Sequence, residues 1–266
     1  MRRLFSLSLL IAIIFAPTAH AGAWLQPEGH GLWIAQATYF HNAHFFDADG
    51  TRQSQPHFTK YEFQPYAEYG LRPNLTIGGT AYLQQNRQSG SEKIGVADPE
   101  FFARTRLWYD DRQVLSLQPL IKLPSAYRSD ASPRSGTDNF DAELSLLYGR
   151  NLTLFSDRDY LDLRAGYRAR GGALSDQWRA DAALGLRLSD RWQVIPAIRM
   201  ILAAEVPDNV AFRETGDLDY DLTKAEVTAM YTLNEKQNLH LTYFSHVAGR
   251  QTGNGYGITA GFSQDF

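Results

Sequence analysis

Along most of its length this chain changes polarity at every second residue. Ala142, Leu144, Leu146 and Tyr148 alternate with Asp141, Glu143 and Ser145, and Leu161, Leu163, Ala165 and Tyr167 alternate with Asp162, Arg164 and Arg168. A period of two belongs to β-strands, whose successive side chains point to opposite faces. The polar face carries full charges, so it stays wet, while the other face is apolar throughout. Past the amino terminus no apolar run approaches the ~20 residues of a membrane helix. A soluble domain of 266 residues would be expected to hold some continuous apolar core, yet the hydrophobic residues are spread thinly and mean hydropathy is −0.36. Lipid outside and water inside is the environment that such strands fit. They must then close into a barrel, because an open sheet edge does not survive in hydrocarbon.

The pattern divides into twelve strands of an all-β, up-and-down transmembrane barrel. The first alternates Trp33, Ala35, Ala37 and Tyr39 with Ile34, Gln36, Thr38 and Phe40; the last alternates Tyr256, Ile258, Ala260 and Phe262 with Gly257, Thr259, Gly261 and Ser263. Short turns such as Leu71-Arg72-Pro73-Asn74, Asp110-Asp111-Arg112 and Ser189-Asp190-Arg191 alternate with longer polar connections, expected at residues 46–56, 86–93, 124–137 and 206–219. Short periplasmic turns and longer outer loops follow the barrel rule, and an even strand number leaves both ends on the periplasmic side. Aromatic residues recur near strand ends, among them Trp33, Tyr69, Trp108, Tyr148, Trp178 and Trp192, as membrane-interface girdles do.

The two termini supply an address. Arg2 and Arg3 precede an apolar run over residues 4–15, and Ala19-His20-Ala21 fits a cleavage site, so residues 1–21 read as a signal peptide and 22–266 as the barrel. An amphipathic strand ending on Phe266 resembles the segment by which outer-membrane barrels of Gram-negative bacteria are recognised by their insertion machinery. Gln264 stands where that pattern usually has an apolar residue. Formal charge is −3 with no cysteine, which gives no basic excess to attract nucleic acid and no disulfide framework.

Assigning the polar faces to the lumen makes Glu62, Glu68, Arg104, Arg106, Asp162, Arg164, Arg168, Arg179, Asp181, Arg187 and Arg199 candidate lumen-lining residues. Two readings follow: an aqueous pore lined by charge, or paired charges bridging the wall. Arg164, Arg168, Arg179 and Arg187, on neighbouring strands, would favour anions by their field, with Asp162 and Asp181 beside them. Catalytic motifs are lacking. No His-x-Ser pair of the barrel phospholipases and no G-x-S-x-G elbow occurs, and Ser245 and His246, being adjacent, point to opposite faces. His41, His44 and His57 flank one loop and read as surface histidines, so neither metal nor cofactor is expected.

Gly22-Ala23-Trp24 with Pro27 and Gly29, Phe46-Asp47 at a strand end, and Tyr69-Gly70-Leu71-Arg72-Pro73-Asn74-Leu75-Thr76 are similar to a group of poorly characterised proteobacterial outer-membrane barrels. These include the MetA-pathway type associated with degradation of aromatic compounds, including phenol, and relatives beside surface-polysaccharide genes. The resemblance implies a small channel or transporter-like barrel without catalytic residues. The expected partners are outer-membrane lipid, the insertion machinery and a small or polymeric solute. The alternative is a non-conducting barrel acting through its outer loops in adhesion or envelope organisation.

Overall fold

The structure, a computed structural model, describes residues 22–125, 136–137, 139–172, 174–205 and 219–266. The expected signal peptide and most of the loops at 124–137 and 206–219 lie outside the described residues. Twelve strands follow one another: β1 (Gly31–Phe46), β2 (Arg52–Arg72), β3 (Leu75–Gln88), β4 (Ser91–Tyr109), β5 (Gln113–Lys122), β6 (Asp141–Leu152), β7 (Asp159–Arg170), β8 (Gln177–Arg187), β9 (Trp192–Ala203), β10 (Asp221–Asn234), β11 (Gln237–Arg250) and β12 (Thr252–Asp265). Each pairs antiparallel with its sequence neighbours, and β1 pairs with β12 to close the barrel. Closure is completed at the chain end. Phe266 N–H donates to the Gly31 carbonyl at 2.9 Å, Gly31 N–H donates to the Phe266 carbonyl at 3.0 Å, and the Phe266 ring stacks on Tyr69.

The faces are inverted relative to a soluble protein. Outward Leu144 and Leu241 are 54% and 55% exposed, whereas inward Asp141 and Glu143 are 2% and 4% exposed. Such an exterior has lipid as its solvent. Aromatic pairs stand near the ends of the outer face: Trp33 with Phe262 and Trp192 with Tyr231 at the end where β1 begins and β12 ends, Tyr39 with Tyr61 and Tyr167 with Trp178 towards the other. Gln264, the exception in the closing strand, accepts a hydrogen bond from the Gln237 amide close to the periplasmic rim, where a polar side chain has water within reach.

Two connections differ from expectation. The segments 46–56 and 86–93 are mostly strand: β1 and β2 are joined by residues 47–51, and β3 and β4 by Ser89-Gly90 alone, both with positive φ, as a tight hairpin turn demands. The reason is physical. These strand ends extend past the bilayer, where neither face needs to be apolar, so the alternation that identifies a strand in lipid disappears. The wall is consequently taller over β1–β4 than over β5–β9, whose members are 10 to 12 residues long.

Carboxylates hold the connections. At the outer end Asp47 accepts N–H groups from Asp49 and Thr51 and the Gln53 amide, and its carbonyl accepts Gln251 N–H, tying the β1–β2 turn to the β11–β12 link. Asp176 accepts the Tyr167 hydroxyl at 2.6 Å and Arg170 N–H at 2.8 Å, bonds that hold its carboxyl below the usual carboxylate range. Asp98 does the same for both feet of the β5–β6 loop, accepting Ser125 N–H and Thr137 N–H.

Candidate functional site: the barrel lumen

The inward residues sort into two arcs. One is a continuous ladder of alternating charge running from β4 to β10: Glu100 to Arg168 (2.7 Å), Arg168 to Glu143 (2.8 Å), Glu143 to Arg164, Arg164 to Asp181 (3.3 Å), Asp181 to Arg199 (3.9 Å), Arg199 to Glu226 (2.7 Å) and Glu226 to Lys224 (2.5 Å). Register builds it, because Arg164 faces Asp181, Asp181 faces Arg199 and Glu143 faces Arg168 across neighbouring strands. Glu143 is its hub, also meeting Arg179 at 3.7 Å and accepting the Ser145 hydroxyl.

The other arc, from β10 through β12 and β1 to β3, is mostly uncharged at the same level, the exception being Glu62, which faces Thr38 across β1 and β2 and is paired with Lys60. Thr228 pairs with Thr242 and Thr38 with Thr259, each at 2.7 Å between hydroxyls. Gln36 donates to Gln64 at 2.5 Å, and Gln64 donates to Thr80 at 3.1 Å. Towards the outer end of this arc Phe40 stacks parallel to Phe244 with centroids 6.0 Å apart, His246 lies 4.7 Å from Phe40, and Lys224 Nζ stands 5.0 Å over Phe244. These rings lie over the inward Gly255 and Gly257 of β12, an aromatic cover for the stretch of that strand that has no inward side chain.

A third feature fills the end where β1 begins and β12 ends. Residues before β1 turn into the lumen instead of leaving it. Ala23 is fully buried; its carbonyl accepts the Ser116 hydroxyl at 2.7 Å and its N–H donates to Asp162 at 3.2 Å. Arg104 donates to the Trp24 carbonyl at 2.8 Å, and Gln26 bonds Thr76 and Glu68 at 2.9 and 2.6 Å. Trp24 packs edge-on against Tyr160 at 5.9 Å and joins Ala23, Val114 and Leu147 in a small apolar cluster. Its ring occupies the space a side chain at Gly149 would need. This inward segment, with Ser116, Val114 and Leu147 as its seat, escaped the sequence reading. The available signal was apolar Val114, Leu147 and Tyr160 on otherwise polar faces.

The sequence-derived residues divide accordingly. Arg164, Arg168, Arg179, Asp181 and Arg199 belong to the charge ladder. Glu68 and Arg104 pair at 3.3 Å under the inward segment, and Asp162 meets that segment's backbone. Glu62 pairs with Lys60 at 3.0 Å. Arg187 lies near the periplasmic end beside Thr232, apart from the other arginines. Arg106 is at the rim, donating to the Pro73 carbonyl and lying 3.9 Å from the Tyr109 ring. Ser245 and His246 bond separately to the carbonyls of Gly255 and Gly253. Between the arcs remains a cavity of about 970 Å³ reaching from Gly22, Leu32 and Ser263 to Thr252.

No protein-family model matches the chain, and no curated protein does. Solved structures match its fold. An outer membrane channel from Pseudomonas putida F1 superposes with a TM-score of 0.75 at 14% identity, over 94% of this chain and all of that one. The NanC porin gives 0.53 at 10% identity over 87% of this chain and 98% of the other. The KdgM porin in complex with disordered oligogalacturonate gives 0.52 at 9% identity over 88% and 99%. The fold is that of Gram-negative outer-membrane channel barrels.

Proposed function

We propose that this barrel passes a small solute across the outer membrane and that the solute travels along the mostly uncharged arc. The observation that carries this reading is the cavity between the two arcs, one side of which is lined by Gln36, Thr38, Gln64, Thr228, Thr242 and Thr259 of the neutral arc. Its hydroxyl and amide groups are bonded to one another and can exchange those bonds for a solute's. The charge ladder opposite is satisfied internally and offers no free charge of one sign. The basic strip of Arg164, Arg168 and Arg179 is therefore a weaker source of anion preference than its count suggests.

The solved barrels of the same fold, channels and porins, support passage over catalysis. Phe40, Phe58 and Phe244 along the path favour a solute with an uncharged ring, in keeping with the resemblance to barrels linked to aromatic degradation. The chain is exported, cleaved near Ala21 and inserted into the outer membrane in this reading, with Phe266 as the residue its insertion machinery reads.

The test is single-channel recording of the folded mature protein in a planar bilayer under a salt gradient. Small, stable openings with a reversal potential near zero are expected, since the wall's charges are paired. Reproducible silence from protein with an intact heat-modifiable gel shift would overturn passage. It would leave the non-conducting reading, which the inward segment filling the periplasmic end favours.

A further inference from the structure

Five carboxylates line the cavity: Glu62, Glu100, Asp162, Asp181 and Glu226. Four hold a lysine or arginine in an ion pair; Asp162 has no side-chain cation among the described residues. The two arginines whose charges act on it bond elsewhere. Arg104 is taken by Glu68, Gln118 and the Trp24 carbonyl, and Arg199 by Glu226 and Asp181. What touches Asp162 is the inward segment: Ala23 N–H at 3.2 Å, and Gly22, where any side chain would collide with the carboxylate.

We propose that the missing cation is the α-ammonium of Gly22, created when the chain is cut after Ala21, so that processing itself latches the inward segment to the wall. This rests on the cleavage site expected from Ala19-His20-Ala21, not on whether the barrel conducts. Before cleavage the Gly22 nitrogen is an uncharged amide. After it, the same atom carries a full charge one residue from the N–H already bonded to Asp162. A carboxylate in a confined lumen gains far more from an ammonium than from one amide. Glycine at the cut end fits the site because it brings the charge without a side chain to clash.

The experiment uses the full chain, exported and purified in its folded form. Mass spectrometry of the amino-terminal peptide gives the first residue, and limited acetylation with acetic anhydride gives the reactivity of its α-amine. A nearby carboxylate favours the protonated, unreactive form. Asp162→Asn is therefore expected to acetylate about tenfold faster than the parent, one unit of proton affinity, with the heat-modifiable shift unchanged. Inserting Thr-Gln between Ala21 and Gly22 leaves the barrel wall untouched, adds no second A-x-A site and moves the amine away, and it should give the same acceleration. A mature chain starting anywhere but Gly22 overturns the proposal. So does a chain starting at Gly22 whose amine reacts alike in the parent and both variants.

Discussion

The two arcs of the lumen solve one problem in opposite ways. Both line the same aqueous interior at the same level, and both satisfy their polar groups across strands. Between β4 and β10 this is done with full charges in alternation, so that buried Glu143 is surrounded by Arg164, Arg168 and Arg179. Between β10 and β3 it is done chiefly with threonine hydroxyls and glutamine amides, beside the single pair of Glu62 with Lys60 among the described residues. A ladder of buried charges is rigid because removing one member strands its partners, whereas a neutral bond is worth about 1 kcal/mol and is readily exchanged. The same wall therefore has a supporting side and, in the proposed function, a side along which a solute passes. The inward segment seats against the supporting side, on Asp162, Arg104 and Ser116.

The largest effect that would break this contrast is on stability. Glu143→Gln leaves three guanidinium groups without their common carboxylate. It should cost about 3–5 kcal/mol, the usual penalty for stranding buried charge, read as a lower urea midpoint for refolding into detergent or lipid. Thr259→Val on the opposite arc removes one hydroxyl pair and should cost about 1 kcal/mol. Equal shifts would show that the ladder supports the wall no more than the neutral arc does.

Selectivity should respond in the reverse order. Thr259→Lys puts an unpaired cation beside the path, where a charge at close range in water is worth about 1 kcal/mol, or about fivefold in local anion concentration. The reversal potential in a salt gradient should move towards anion preference. Arg164→Gln, although it deletes a lumen charge, should move it less, because Glu143 keeps Arg168 and Arg179 and Asp181 keeps Arg199. If Arg164→Gln shifts the potential more, solute passes along the charged side.

How much of this could be read from residues alone follows from what the bilayer demands. Within hydrocarbon each strand must segregate its faces, so Leu144 and Leu146 against Glu143 and Ser145 were legible as strand and orientation together. Beyond it, at residues 52–58 and 86–93, polarity on both faces hid the strand ends. Arg164, Arg168 and Arg179 were readable as inward, but their convergence on Glu143 depends on register between β6, β7 and β8, which spacing along one strand does not carry. The inward segment was least legible. Gly22 to Gln26 has no period, and its partners Asp162, Arg104, Ser116 and Thr76 lie 139, 80, 93 and 50 residues away.

The smallest effect concerns how the neutral side is held where the charge ladder does not reach. At the outer end of β1 and β2, Asp47 organises the turn by accepting the Gln53 amide and the N–H groups of Thr51 and Asp49, and these bonds hold its carboxyl below the usual value. A carboxylate whose folded value lies below its unfolded one, about 3.9, stabilises the fold fully above that value and loses the contribution as pH falls through the folded value. Asp47→Asn should therefore lower the urea midpoint slightly at neutral pH, and the difference should vanish in acid. A difference that widens on acidification would mean that Asp47 is held in its protonated form. The turn tying β1 and β2 to the β11–β12 link would then be fixed by something other than the ionised carboxylate.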